Sequence, residues 1–203
     1  MQLIGMLDSP FVRRVAISLK LMGLPFEHHP VSVFRHLERF KSINPVVKAP
    51  TLVCDDGVVL MDSTLILDYL ETLVGSAKSL MPAAGQRRDA LQLIGLGLAA
   101  AEKAVQVYYE QTLRPEEKQH APWLERVNWQ LLAAYDTLEP LVAKASPWLL
   151  GNRLLQPDIT IAVAWRFTHY VLPGRIEAVR YPALTDFCAC AEELPEFVAT
   201  PLD

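Results

Sequence analysis

Little in this chain favours a secreted, zinc-bound or nucleic-acid-bound protein. Only three cysteines occur in 203 residues, Cys54, Cys188 and Cys190, and their spacing makes neither a disulfide framework nor a zinc site. Cys188 and Cys190 stand two apart, which on a helix turns the thiols to different sides. Basic and acidic residues, 19 and 23 of them, are interspersed to a net charge of −4; with no basic stripe, nucleic acid is not an expected partner. The longest apolar stretches, such as 91–101 with Gly95 and Gly97 inside it, are too short to span a bilayer, so no membrane is expected. Met1 leads straight into a strand-like run, which leaves no room for a signal peptide. Internal repeats and low-complexity tracts are missing. A reducing compartment, the cytoplasm, is the expected setting.

What the chain has is apolar material. Hydrophobic residues make up 51% of it, enough for an ample core in one domain or in two small ones with a shared interface. Residues 2–6 read as a short buried strand. From Pro10 onward Phe11, Val15, Leu19 and Met22 recur at helical spacing, and Gly23 ends the helix. Residues 26–31 read as a second strand, parallel to the first if the helix is a right-handed crossover. Phe34, Leu37, Phe40 and Ile43 predict a less regular helix that stops at Asn44-Pro45. The runs 51–54 and 58–61 flank Asp55-Asp56-Gly57, a hairpin signal. Residues 63–73 carry Ile66, Tyr69, Leu70 and Leu73 on one helical face. After a Gly- and Ser-containing linker no strand pattern recurs. Helices are predicted over 86–113, 122–145, 157–170 and 182–193. The division expected is 1–75, a linker at 76–85, and an all-helical 86–203.

Chemistry concentrates at three places. Ser9-Pro10 opens the first helix; the hydroxyl can cap an orphan N–H, and proline's missing N–H costs nothing there. The same position puts a hydroxyl where backbone dipoles favour an anion. Ser9 is therefore a cap or a ligand for an anionic atom. Pro50 begins the strand at Thr51, and a cis bond there would present the peptide groups of Ala49 to a ligand. Asp62-Ser63 opens another helix. A carboxylate could take the Ser63 hydroxyl and N–H while Asp62 accepts from an ammonium group, a combination that suits an α-amino acid. Lys48 could add a charge-assisted contact.

The order of these features carries a resemblance. Ser9-Pro10-Phe11-Val12-Arg13-Arg14-Val15, Asn44-Pro45, Lys48-Ala49-Pro50 and Asp62-Ser63, with Gly151-Asn152 leading to Asp158, resemble the glutathione transferase superfamily along essentially the whole chain. The likeness is greatest to its serine-type members, the plant tau class and related bacterial proteins. The resemblance implies a thioredoxin-like α/β first domain that holds glutathione as co-substrate, with no metal, followed by an all-α domain that receives a small hydrophobic electrophile. Ser9 would donate to the glutathione sulfur. Ala49, ahead of a cis Pro50, would pair with the cysteinyl part. Asp62 and Ser63 would hold the γ-glutamyl end, Lys48 the glycyl carboxylate, and Phe11 would complete the glutathione-binding set. A cytoplasmic, homodimeric detoxification enzyme is the implied assembly. Tyr108, Tyr109, Trp165 and His169 are candidate electrophile contacts, although aromatic residues on long helices equally build cores.

Three positions depart from the family pattern. Val47 replaces the glycine usual before the lysine, Asp62 replaces a glutamate, and Leu155 stands where Ser or Thr would cap the helix containing Asp158, so Asp158 must be satisfied another way. Serine at position 9 argues against thiol transfer through a protein–glutathione disulfide. Cys54 lies in a strand with no second thiol nearby and reads as inert. His28-His29 lacks further ligands at metal spacing. Arg13 and Arg14 are expected on the helix surface or a subunit interface. Two other functions use the same first domain: a non-catalytic ligand-binding or protein-interaction module, and a glutathione-dependent isomerase or dehalogenase.

Overall fold

The structure, a computed structural model, describes residues 1–202. The chain divides into two compact units: residues 1–81 together with the segment from Leu194 onward, and Pro82–Glu193.

In the first unit Gln2–Ile4 (β1), Glu27–His29 (β2), Thr51–Val53 (β3) and Val59–Met61 (β4) form one sheet ordered β2-β1-β3-β4. β1 and β2 are parallel, with Leu3 opposite His28. A parallel pair needs a crossover, and helix α1, Pro10–Met22, supplies it. β3 runs antiparallel to both β1 and β4. The turn between β3 and β4 closes through Gly57 at φ 87, whose N–H donates to the Cys54 carbonyl; glycine takes this conformation without a Cβ clash. Helices Leu37–Ile43 (α2) and Ser63–Thr72 (α3) complete the layer.

Helix α1 begins and ends as its sequence dictates. Ser9 is the N-cap and Pro10 opens the first turn. At the far end Gly23 sits at φ 68, and the Leu24 N–H reaches back to the Leu19 carbonyl, satisfying carbonyls that a helix end leaves orphaned. Its burial does not follow the single-stripe expectation. Every residue from Val12 to Leu19 is buried, so Arg13 and Arg14, each 2% exposed, lie inside the unit and not on a helix surface. Arg13 reaches the end of the chain: Nε donates to the Thr200 carbonyl at 2.7 Å and Nη2 to the Phe197 carbonyl at 3.3 Å. That clamp explains why residues beyond Leu194, expected with the helical region, group with the sheet.

The second unit is all helical, as its missing strand patterns predict. Helices α4 (Ala84–Thr112), α5 (Ala121–Val142), α6 (Gln156–Val171) and α7 (Pro182–Glu192) lie within two or three residues of most expected bounds. The sequence pattern does not predict a short four-residue helix, Pro195–Val198 (α8); its Phe197 is buried in the first unit. Helix α4 is long and apolar enough to cross a membrane by length and composition, yet it packs against α5 and α6 as a core helix. Gly97 permits that approach: a Cβ there would meet Thr160 Cγ2 at 3.1 Å and Ile161 Cγ1 at 3.3 Å.

The start of α6 resolves the missing cap. Leu155 has no side-chain acceptor for the helix N–H groups, but Asp158 still supplies the other half of the exchange. Its Oδ2 accepts from the Leu155 N–H at 2.8 Å and its Oδ1 from the Leu149 N–H at 2.9 Å. The carboxyl is fully buried, and burial pushes it up to about 6 against the N–H groups of Leu149, Leu155 and Asp158 itself, which pull it down.

Candidate functional site

The site is built where three loops of the first unit meet the N-termini of α1 and α3. Ser9 caps α1: its Oγ accepts from the Val12 N–H at 3.5 Å, a long bond at the edge of hydrogen-bonding range. Capping uses an oxygen lone pair, so the hydroxyl proton remains available to donate. Phe11, on the same turn, is half-buried. Ala49 lies beside the turn after β1, its Cβ 3.3 Å from where Gly5 would carry one, and the Ala49–Pro50 bond is cis. Asn44 holds the intervening loop. Its Nδ2 donates to Thr51 Oγ1 at 2.9 Å, its Oδ1 accepts from the Val46 N–H, and Thr51 Oγ1 donates to the Lys48 carbonyl.

Val47, the departure noted in that loop, sits at φ 54. The left-handed region costs a residue with a Cβ roughly 1–2 kcal/mol, and β-branching makes such a conformation rarer still. Val47 packs against the cluster of Ile4, Val31 and Phe40, and that burial offsets the backbone cost. The loop therefore keeps the shape that a glycine would take more easily.

Asp62 and Ser63 form the other wall. Asp62 has φ 71 and ψ 123, a sparsely populated conformation that costs of order 1–3 kcal/mol and clusters at functional sites. Its Oδ1 caps α3 by accepting from the Thr64 N–H at 2.9 Å, while Oδ2 stands 3.5 Å from Lys48 Nζ. Ser63 is buried, and its Oγ accepts from Arg14 Nη1 at 3.1 Å. Arg14 also reaches Thr64 Oγ1 at 3.4 Å, and its Nε has no hydrogen-bond partner. Burial lowers the guanidinium to about 10, with Asp62 opposing the shift; it is still a cation at neutral pH.

This arrangement has a direction. Because Arg14 occupies the acceptor side of Ser63, the Ser63 hydroxyl proton is left to point toward a ligand. A helix N-terminus, a buried cation and a donor hydroxyl together favour a carboxylate. Asp62 supplies one negative charge beside them. An α-amino acid head group, carrying both signs on one carbon, matches that pairing.

Arg14 is the residue of this candidate site that the sequence pattern places elsewhere, on the helix surface or a subunit interface. A signal was present: residues 15–19 carry no charge, so α1 has no wholly polar face on which two arginines could rest. Lys48, Ala49 and Pro50 lie on the loop before β3, and Asp62 and Ser63 at the start of α3. His28 is used locally, its Nε2 lying 2.8 Å from the Gly5 carbonyl, and His29 Nε2 is 3.3 Å from Glu27. Among the described residues no group of three or more His, Cys, Asp or Glu could hold a metal ion.

The four aromatic candidates of the second unit separate into two places. Tyr109 lines a cavity of about 420 Å³ at the end of α4, with Glu110, Arg114 and Trp123. Tyr108 lies beside it, the two rings 6.2 Å apart. Glu110 is buried and anchors that cavity's rim, accepting from the His120 N–H and pairing with Arg114 at 3.0 Å. Trp165 and His169 instead line a cavity of about 330 Å³ between α6 and α7, which shares no lining residue with the first. Trp165 is also core: its ring meets Tyr135 edge-on at 5.0 Å and Tyr181 at 5.8 Å. Of the cysteines, Cys54 and Cys188 are buried and Cys190 is exposed, the opposite facing of the last two that their spacing predicts.

Known proteins share this architecture. Residues 3–78 match the family model for the glutathione S-transferase N-terminal domain. Glutathione S-transferase Z2 of Arabidopsis thaliana is 28% identical over 199 residues, covering 93% of this chain and 85% of that protein. Two solved structures are similar over 100% of the chain. One is a glutathione S-transferase from Methylobacterium radiotolerans in complex with glutathione sulfonate, with TM-score 0.91, 25% identity and 95% of that chain covered. The other is a glutathione transferase family member from Pseudomonas fluorescens with bound S-(propanoic acid)-glutathione, with TM-score 0.85, 27% identity and 99% of that chain covered.

Proposed function

Since the chain belongs to the glutathione S-transferase superfamily, we propose that it conjugates glutathione to small hydrophobic electrophiles, with Ser9 stabilising the thiolate. The observation that carries this reading is the Asp62–Ser63–Arg14 arrangement, which matches a γ-glutamyl head group in charge and in hydrogen-bond direction. Ser63 and the α3 N-terminus take the carboxylate, and Asp62 takes the ammonium. The backbone of Ala49 pairs with the cysteinyl part, Phe11 packs beside it, and Lys48 attracts the glycyl carboxylate. The Ser9 hydroxyl then donates to the sulfur. A free thiol titrates near ~8.5, and each unit of lowering is worth about 1.4 kcal/mol. The thiolate is the nucleophile, so that shift raises the reactive fraction at neutral pH. No bond to the protein forms. For the electrophile the second unit offers the cavity at the end of α4, where Tyr109 and Trp123 supply flat apolar walls. The setting proposed is the cytoplasm and the role detoxification.

The test is a calorimetric titration of glutathione into wild type, Ser63→Ala and Ser9→Ala, with conjugation of an aryl halide followed in parallel. Removing one hydrogen bond to a charged group is expected to weaken glutathione by about tenfold in Ser63→Ala. Ser9→Ala should leave affinity within about threefold yet cut conjugation at pH 7 by about tenfold, through a one-unit rise of the bound thiol. Wild-type conjugation rates in Ser9→Ala would remove the thiolate role. Binding without conjugation of any electrophile would favour the non-catalytic module.

A homodimer is part of the proposal. β4 is an edge strand, and Val58, Val59, Met61 and Leu65, all exposed, make an apolar strip along it and the first turn of α3. An unpaired apolar edge of this kind suits a second copy of the chain. Sedimentation equilibrium is expected to give a dimer for wild type and a shift toward monomer for Leu65→Glu; a wild-type monomer at micromolar concentration would discard the dimer.

A further inference from the structure

Two cations have a claim on one oxygen of Asp62. Lys48 Nζ lies 3.5 Å from Asp62 Oδ2, the oxygen that a ligand ammonium would need. Oδ1 cannot stand in for it, because it caps α3 by accepting from the Thr64 N–H at 2.9 Å. Nor can Asp62 swing to serve both cations. Its arm is a single methylene, its backbone is held at φ 71 and ψ 123, and turning the carboxylate would undo the cap. When a ligand ammonium arrives at Oδ2, Lys48 has to leave.

Lys48 is built to move at its tip alone. Its backbone is anchored, since Thr51 Oγ1 donates to the Lys48 carbonyl at 2.7 Å and the neighbouring Val47 N–H to the Asn44 carbonyl at 3.0 Å. Its side chain is about half-exposed, on a flexible four-carbon stem. The pair with Asp62 is also weak: an exposed ion pair shifts an equilibrium by about fivefold at most. Charge balance says what the displaced lysine then requires. Arg14, a cation at neutral pH, and Lys48 bring two positive charges, and Asp62 one negative. A γ-glutamyl head group is a zwitterion and leaves the surplus positive charge unanswered. A second carboxylate at the far end of the ligand answers it.

We propose that Lys48 and the ligand ammonium exchange places on Asp62, and that this exchange makes the site selective for γ-glutamyl thiols bearing a free carboxylate at their other end. The inference rests on the glutathione reading above and adds to it a penalty that a simple contact lacks. A ligand blocked at its far end still evicts Lys48 from Asp62 and offers it nothing in return. Specificity of this kind is built against the wrong ligand as well as for the right one.

The probes are S-methylglutathione and its glycine ethyl ester, which differ only in the far carboxylate and carry no ionisable thiol. Each is titrated by calorimetry into full-length wild type, Lys48→Met and Lys48→Arg. Wild type is expected to favour the acid by about tenfold. Lys48→Met should weaken the acid by about fourfold and tighten the ester by about two- to threefold, so that the preference vanishes. Lys48→Arg, which keeps the charge, should restore the preference for the acid. The opposite signs carry the test, because a lysine that only touched the glycyl carboxylate would leave the ester unmoved. An ester that binds Lys48→Met as it binds wild type, or more weakly, would overturn the exchange while the glutathione reading stands. Equal binding of acid and ester by wild type would overturn it too. No saturable binding of the acid to wild type would remove the glutathione reading and the exchange together.

Discussion

Asp158→Ala is expected to lower the unfolding free energy by about 4 kcal/mol, the largest effect of any single change considered for this chain. The substitution leaves the part-buried N–H of Leu149 and the buried N–H of Leu155 without their acceptor, and such an orphan costs about 1–3 kcal/mol when buried. Because Leu155 offers no side-chain oxygen, no second acceptor at the cap can take over. All four tryptophans, Trp123, Trp129, Trp148 and Trp165, belong to the second unit, so their fluorescence in a urea titration reads this loss directly. Asp158→Asn keeps one acceptor oxygen and should recover about half of it. A loss below about 1 kcal/mol in Asp158→Ala would mean that the two N–H groups find other partners.

The same residue gives a signed pH dependence. Its folded-state value is about 6, above the ordinary ~3.9 of the unfolded chain. Between those values the native state holds a proton that the unfolded state has lost. This contribution therefore rises as pH falls from about 6 toward 4 and is level above 6. Over that window wild type should gain on the order of 2–3 kcal/mol relative to Asp158→Asn, which cannot titrate there. A difference that grows in the other direction would contradict the assignment to a buried, desolvated carboxyl.

Arg13→Met is expected to cost about 3 kcal/mol and to loosen the end of the chain. Methionine keeps much of the volume, so the effect reads the loss of the guanidinium's interactions, among them the bonds to the Thr200 and Phe197 carbonyls and the contact 5.6 Å from the Phe197 ring. Hydrogen bonds from a charged donor are worth about 1.5–3 kcal/mol each, and part of that is offset by no longer burying a cation. Hydrogen exchange should show the Phe197 and Thr200 amides losing protection, since these bond only to carbonyls of their own turn, Leu194 and Phe197. Arg13→Lys should rescue little, because a single ammonium lacks the planar fork that reaches both carbonyls. Unchanged exchange at those amides would show that Phe197 packing alone holds the segment.

Much of the architecture was legible because it is written locally. The parallel strand pair, the hairpin at Asp55-Asp56-Gly57 and the helix ends at Ser9, Gly23, Asn44 and Asp62 all follow from turn and cap chemistry within a few residues. Their order supplied the family resemblance. The candidate site was readable where it uses the same chemistry: a hydroxyl before Pro10, a lysine before Ala49-Pro50, an acid and a hydroxyl at a helix start. It was not readable at Arg14, whose partners Ser63 and Thr64 stand about fifty residues away, nor among the aromatic candidates, which helical spacing alone could not divide between two cavities.

By itself, then, the sequence determined where most strands and helices begin and end, and which helix starts could hold an anion. Those choices rest on φ/ψ preferences and on orphan backbone groups that neighbouring residues satisfy. Only the tertiary structure decided the fate of the charges. Arg13 is buried because the chain's last residues return carbonyls to it, Arg14 because α3 offers it hydroxyls, and Asp158 because the loop at Leu149 turns an N–H toward it. A charge can be buried only when partners arrive with it, and here those partners come from segments that no local pattern connects.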